Sequence, residues 1–427
     1  MQESFKKHIL VFVLTVAVIL VASAFVNVVV DPFGMYRLVE IEGFNDSKPA
    51  IYNRVRLLKA YEVRRIKPQS IVLGTSRVHL GMRPSHEGWA SQYDPRYNLG
   101  FDGATTKEMY AYLVHAHKAG NLEHVILGLD SYHLTNAPAT AKPDFDSTLL
   151  YTQQDWINPF RMAAADFKIL TSISTLQASL NTVLAEPEPR WLAPDGQRLG
   201  NVFFYRPGEN YVECGPRCYF DEIDKLEVRY KLEWKIPVDE NKPLRVAPEP
   251  NTDPMTSMDY IRKIMAYCVN NDIKLVIFLT PSHAHQLELD GLTGNWWSVE
   301  NGKREIVKLA AEYDKSIPVY DFTRYSSITT EALPPEGTQE EMRYYWDSSH
   351  FKQPVGDMVL DVILGTNSAG GAIPGDFGIR MRPDNVETAI SRLNETRQSY
   401  QNHAVSELEK LEVWVDNFME KHGIKDE

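Results

Sequence analysis

Positive charge is what this chain is short of. It carries 45 Lys and Arg against 57 Asp and Glu, a formal net charge of −12. Holding a nucleic-acid backbone relies on neutralising phosphates, so general nucleic-acid binding is set aside and no such partner is expected. Cysteine is scarce as well, with 3 in 427 residues. Cys214 and Cys218 stand in "CGPRC", and Cys268 stands alone. No second Cys or His pair lies at ligand spacing nearby, so no metal site is expected there. The pair is expected to close a small disulfide in an oxidising compartment, the alternative being two unpaired thiols. Repeats and low-complexity stretches are absent. What is present is 43% apolar and 11% aromatic residues, enough for one large domain with insertions or two modest ones.

The clearest segment is N-terminal. Lys6 and Lys7 precede an uncharged run from Ile9 to Val30, longer than the roughly 20 residues that a helix needs to cross a bilayer core. Ala22-Ser23-Ala24 resembles a signal cleavage site. The apolar run continues past it, beyond a typical signal core, so a retained anchor is expected over 9–30. Residues 1–8 are then cytoplasmic, with Lys6 and Lys7 inside and Asp31 outside. Arg54, Arg56, Lys59, Arg64, Arg65 and Lys67 follow on the far side against a single Glu62. Long domains translocate largely regardless of such charge, so the body is expected outside the cytoplasm. Residues 31–69 form a juxtamembrane segment. Its basic end, "YNRVRLLKAYEVRRIKP", is either a solvated helix face or a surface toward lipid phosphates or an anionic substrate.

From residue 70 buried-strand runs ("SIVLG", "HVILGLD", "KLVIFL") alternate with amphipathic helices. This predicts a parallel sheet covered on both faces. The expected fold is a three-layer α/β/α, flavodoxin-like body over 70–365. An insertion at about 135–255 interrupts it, with Trp156, Trp191, Phe203, Phe204, Tyr205, Tyr219, Phe220 and Trp234 among many Pro and Gly. Those aromatics either stack on sugar rings or pack a small subdomain. The tail, 366–427, is expected to end in one long amphipathic helix. Its stripe is Val386, Ile390, Leu393, Tyr400, Ala404, Leu408, Leu411, Val415 and Phe418.

Active sites of open parallel sheets lie at the carboxyl ends of the strands. Four pieces of sequence fall there: Gly74-Thr75-Ser76, Asn98-Leu99-Gly100, Gly128-Leu129-Asp130-Ser131, and "YYWDSSHF" with Asp347 and His350. Alone, each has an ordinary explanation, since a Ser at a helix start is usually a cap and a Gly after a strand usually serves the turn. In this order they resemble the SGNH (GDSL-like) hydrolase superfamily. "GTSR", "YNLG" and the anchor resemble its membrane-anchored branch that O-acylates polysaccharides, similar to alginate acetylation proteins and to the D-alanyl transfer protein of teichoic acid export.

The resemblance implies a Ser76–His350–Asp347 triad and an oxyanion hole from Ser76, Gly100 and Asp130. Where that family has Asn, Asp130 stands, and an ionised carboxylate has no proton to donate. Asp130 is therefore held protonated, or the hole uses the backbone amides of Ser76 and Gly100, or Asp130 has another task. Arg77, Tyr345, Trp346 and His283 are the expected substrate contacts, with Tyr344 a further aromatic beside them. His283 and His285 in "SHAH" and His133, which forms a second D-x-x-H with Asp130, are more readily structural than metal-binding or catalytic. No cofactor is implied.

The implied activity is acyl transfer, acetyl above all, to a cell-surface or exported polysaccharide. A multi-spanning membrane acyltransferase partner would supply the acyl group at the bacterial inner membrane. An esterase of such a polysaccharide uses the same triad with water as acceptor. A catalytically silent assembly protein of an export complex is the third reading.

Overall fold

The computed structural model describes residues 2–152, 158–185, 190–200, 214–235, 255–313, 317–368 and 371–425. Trp156, Phe203, Phe204 and Tyr205, singled out above, lie outside them, as does the side chain of Trp234. The chain divides into two compact units: Met1–Lys67, Val114–Asn121 and Pro143–Trp191 in one, and Pro68–Leu113, Leu122–Lys142 and Leu192–Glu427 in the other. The stretch expected as a single insertion is thus shared between both.

The helices run α1 (Gln2–Val30), α2 (Val55–Ile66), α3 (Ser76–Gly81), α4 (Thr106–Ala119), α5 (Asn158–Leu170) and α6 (Ile173–Leu184). They continue as α7 (Pro216–Leu232), α8 (Ser257–Asn270), α9 (Ala284–Leu292), α10 (Trp296–Ala311), α11 (Gln353–Leu364), α12 (Val386–His403) and α13 (Val405–His422).

In the first unit, α1 is long and apolar enough to cross a membrane. Asp31 follows it with φ 50°, and its carboxylate accepts the amides of Met35, Tyr36 and Arg37. The basic stretch is split, with Arg54, Arg65 and Lys67 exposed and its middle turned inward. Arg56 to Val63 are all buried, because the Arg and Glu heads find partners. Arg56 pairs with Asp144, while Arg37 and Arg65 converge on Glu62. The imidazole of His115 reaches the Ala60 carbonyl at 2.9 Å, and burial pushes it down to about 4, so it stays neutral. Helices α5 and α6 complete this unit and pack on α1.

The second unit is built on six strands: β1 (Ser70–Gly74), β2 (Arg96–Gly100), β3 (His124–Leu129), β4 (Lys274–Leu279), β5 (Val319–Asp321) and β6 (Ile379–Met381). Their order is β2-β1-β3-β4-β5-β6. The first five are parallel, β1, β3 and β4 being the apolar runs quoted above, with Gly74 opposite Gly100 and Leu73 opposite Leu127. The expected all-parallel sheet is corrected at its edge, where β6 runs antiparallel to β5. A three-residue edge strand with an outward Arg380 limits the unpaired edge it presents. Its sequence is too short for periodicity to register.

The core under β1, β3 and β4 gathers Val72, Val78, Ile126, Phe278, Phe322, Tyr345, Phe351 and Val355. The expected single C-terminal helix is two helices, broken at Ala404, which has φ −102° and ψ 29°. Leu411 and Val415 cluster with Val228, Leu232 and Leu289, whereas Leu393 packs with Ala284, Leu287 and Val299. One apolar stripe thus serves two different seats, and the chain bends to reach both. Cys214 and Cys218 form a disulfide, with Cα atoms 5.5 Å apart, that ties the residue before Gly215 to the first turn of α7.

Candidate active site

The nucleophile candidate is placed by a strand–turn–helix. All five residues of β1 are buried. Gly74 then lets the chain turn against Val78, since a Cβ there would lie 2.5 Å from Val78 Cγ2 and 2.9 Å from the Gly128 carbonyl. Thr75 caps α3 in extended conformation, its hydroxyl accepting the Arg77 amide at 3.4 Å. Ser76 is the first residue of α3, so its own amide is among the donors that a helix start leaves over. Asn98 holds the other end of this short helix, giving its side-chain amide to the carbonyls of Val78 (2.9 Å) and Met82 (2.7 Å).

Downstream, Tyr345 and Phe351 pair across a small antiparallel bridge. The Trp346 and Lys352 amides donate to the carbonyls of His350 and Tyr344. This closes the loop that carries Asp347 and His350. Asp347 is wholly buried. Its Oδ1 accepts the Ser349 and His350 amides, each at 2.8 Å, and its Oδ2 lies 2.8 Å from His350 Nδ1. An ionised carboxylate only accepts, so Nδ1 carries the proton and Nε2 keeps a lone pair. That Nε2 is 2.8 Å from Ser76 Oγ. Burial works against a charged ring, but the Asp347 carboxylate outweighs it and raises the His350 pKa above 6.5. The imidazole is one-fifth exposed, so the proton-accepting end of the relay reaches the surface while its acid end does not. Ser76, 274 residues from His350 in sequence, therefore stands in hydrogen-bonded series with His350 and Asp347.

Arg77, expected at substrate, turns inward instead. Its guanidinium lies 3.1 Å from Asp130, donates to Ser349 Oγ at 3.2 and 3.0 Å, and reaches Thr280 Oγ1 at 3.4 Å. Asp130 accepts the Thr75 and Thr280 hydroxyls at 2.9 and 2.6 Å. Burial opposes its charge, yet Arg77 and His133 keep its pKa below the usual carboxylate value. Asp130 is an ionised acceptor with no proton to offer an oxyanion. Its task is to hold Arg77, which in turn holds the His350 loop.

Gly100 differs too. Its amide donates to Asn98 Oδ1 at 2.9 Å, so the oxyanion-hole expectation is carried by the Ser76 amide. A Cβ at position 100 would lie 2.7 Å from the His79 nitrogen and 2.9 Å from the Thr75 carbonyl. Gly100 is needed for β2 to approach the start of α3.

His283 is buried. Its Nε2 donates to the Glu331 carbonyl at 2.9 Å and its Nδ1 caps α9. Burial and then His285 push its pKa down to about 3, so it is a neutral structural ring. His285 pairs with Asp224 at 2.7 Å. Tyr345 is buried with its hydroxyl on the Pro281 carbonyl. Tyr344 is half-buried beneath the Arg343 guanidinium. Trp346 is half-buried with the Lys352 ammonium 4.2 Å above its ring. Among the described residues, the metal-compatible group is Cys214, Cys218 and Glu222, and both of its sulfurs are in the disulfide.

Asp102 was not foreseen. It is 44% exposed, with Arg198 at 2.9 Å and His79 at 3.6 Å. Burial works against its charge, but Arg198 first and then His79 and His350 hold it well below the usual carboxylate range. Its signal, "GFDG" directly after β2, lies in a turn whose glycines attract attention before its acid. Compared with family models and with curated proteins, the chain finds no match.

Proposed function

We propose that the chain is a membrane-anchored serine O-acyltransferase of the SGNH kind, acting outside the cytoplasm on hydroxyls of a cell-surface or exported polysaccharide. The observation that carries this reading is the continuous relay from Ser76 Oγ through His350 to Asp347 at 2.8 Å per step. A serine hydroxyl is a poor nucleophile until a base takes its proton as it attacks. His350 Nε2 is placed for that, and Asp347 fixes its tautomer and stabilises the cation that forms.

Ser76 Oγ would bond to the acyl carbon of an activated donor, its proton passing to Nε2. The tetrahedral oxyanion would accept the Ser76 amide, and its collapse would expel the donor's leaving group with that proton. A polysaccharide hydroxyl would then attack the acyl-serine, losing its proton to Nε2 and restoring the Ser76 hydroxyl. Acetyl is the acyl group that the resemblance favours.

The strand order supports the three-layer, flavodoxin-like reading of the body. Helix α1, with Lys6 and Lys7 in its first turns, supports a single-pass anchor with its N-terminus in the cytoplasm, at a bacterial inner membrane. A multi-spanning acyltransferase handing over the acyl group is the partner that such an anchor suits. The silent-assembly reading draws on the engaged Gly100 amide, because losing one oxyanion donor costs on the order of 3 kcal/mol of barrier.

The test is fluorophosphonate labelling of the full chain in detergent, read by intact mass, beside Ser76→Ala and His350→Ala. One adduct on the wild type, absent from both variants, is expected. A folded wild type that takes no adduct would overturn the acyl-enzyme and leave the assembly role. Acyl release to glycan rather than to water separates transferase from esterase.

A further inference from the structure

Helix α6 is inside out for a protein in water. Its sequence, ISTLQASLNTVL, has no charged residue. It buries the polar residues Thr175, Ser179 and Thr182 and exposes Ile173 (85%), Leu176, Leu180 (58%), Val183 and Leu184 (72%), with the uncharged Ser174, Gln177 and Asn181 among them. A helix folded against an aqueous boundary turns its apolar stripe inward. A helix folded against hydrocarbon does the reverse, and packs small polar residues against its neighbours. What α6 packs on is α1, the membrane-length helix.

The contact is specific. Asn27, buried near the carboxyl end of α1, accepts the Ser179 hydroxyl at 2.7 Å and donates to the Leu170 carbonyl at 2.8 Å. Helix α5, joined to α6 by a tight turn, adds Phe160 (81% exposed) and Phe167 (60%). The apolar surface of α1 thus continues onto a helical hairpin.

We infer that the α5–α6 hairpin is a second membrane-embedded element whose exposed apolar face sits in the lipid of the outer leaflet beside the end of α1. At 12 residues, α6 is roughly 18 Å long, too short for a hydrocarbon core of about 30 Å. It therefore enters one leaflet and does not cross. Lys168, exposed on α5 among these residues, can extend its ammonium to the headgroups. The occupant is acyl chains rather than a protein groove, because the face continues a surface that is itself built for lipid. The inference rests on the retained anchor proposed above.

The full chain suits spin labelling, since Cys214 and Cys218 are bonded and Cys268 is buried. Ile173→Cys, Leu180→Cys and Leu184→Cys lie at surface positions, so none removes a core contact. Each would carry a nitroxide in vesicles of phosphatidylcholine and phosphatidylglycerol holding this protein alone. Collision with oxygen is compared with collision with a water-soluble nickel chelate. Val18→Cys in α1 serves as lipid standard and the exposed Glu409→Cys as water standard.

Oxygen access exceeding nickel access at all three hairpin sites, as at position 18, is the expected result. Nickel access at 173, 180 and 184 matching that at 409, with 18 still reading lipid, overturns the hairpin inference and spares the anchor. Water-like access at 18 as well overturns both. Protection that appears only when other membrane proteins are added overturns lipid as the occupant and gives the face to a partner.

Discussion

The chain writes the same short phrase twice, DSYH from Asp130 and DSSH from Asp347, and the two copies do opposite work. In the second, the carboxylate faces the imidazole. Nδ1 of His350 donates to Asp347, its pKa is raised, and Nε2 looks toward a serine. In the first, the ring is turned the other way. Nδ1 of His133 accepts the Asp130 amide at 3.0 Å and Nε2 donates to the Ala104 carbonyl at 3.0 Å. Burial, despite Asp130, lowers its pKa, and the Asp130 carboxylate is spent on Arg77. An acid beside a titrating ring can serve proton traffic. An acid beside a guanidinium that never gives up its proton can only brace. Spacing alone does not assign the role; the partner of the carboxylate does.

Replacing the acid in the second copy sharpens the contrast most. Asp347→Asn should cut the rate of fluorophosphonate labelling by about 10⁴-fold through the wrong tautomer, with thermal unfolding little changed. An equal rate loss in His133→Gln would erase the distinction.

The brace itself is next. Arg77→Met strands the buried Asp130 charge and should cost about 3–5 kcal/mol in urea unfolding. Arg77→Met combined with Asp130→Leu should recover most of that loss, because replacing a buried pair by packed apolar groups is often neutral. No recovery would mean that Arg77 acts mainly through Ser349.

The smallest effect is a shift in a pH profile. His350 must be neutral to take the serine proton, and its folded pKa is raised. Labelling should therefore rise with pH, with the midpoint of the acid limb above the ordinary 6.5. His133→Gln should leave that midpoint where it is. A midpoint at or below 6.5 would show that Asp347 does not control the ring.

That Ser76, His350 and Asp347 would meet was legible from a Ser directly after a buried strand and a D-x-x-H downstream. The supporting chemistry was not. Arg77 next to a candidate nucleophile suggests substrate charge, yet the buried Asp130 demands it more strongly than solvent does. The Gly100 amide looks available until Asn98, two residues earlier on the same strand, folds back to it. Strands β1, β3 and β4 were readable from unbroken apolar runs, while β6 and the break at Ala404 arise from long-range packing that no local pattern encodes. In α6 the apolar and polar positions were visible, but which side faces the protein depends on the solvent, and that a sequence does not state.

Asn98 bears on portability. The turn that presents Ser76 looks self-contained, a few residues between a strand and one and a half turns of helix. Yet the carbonyls that would unravel that helix are held from the neighbouring strand by one side-chain amide. Anyone transplanting Ser76 and its turn into another scaffold would have to move two strands in fixed register, with Asn98 and Gly100 included. A grafted loop alone would deliver the serine without its aim.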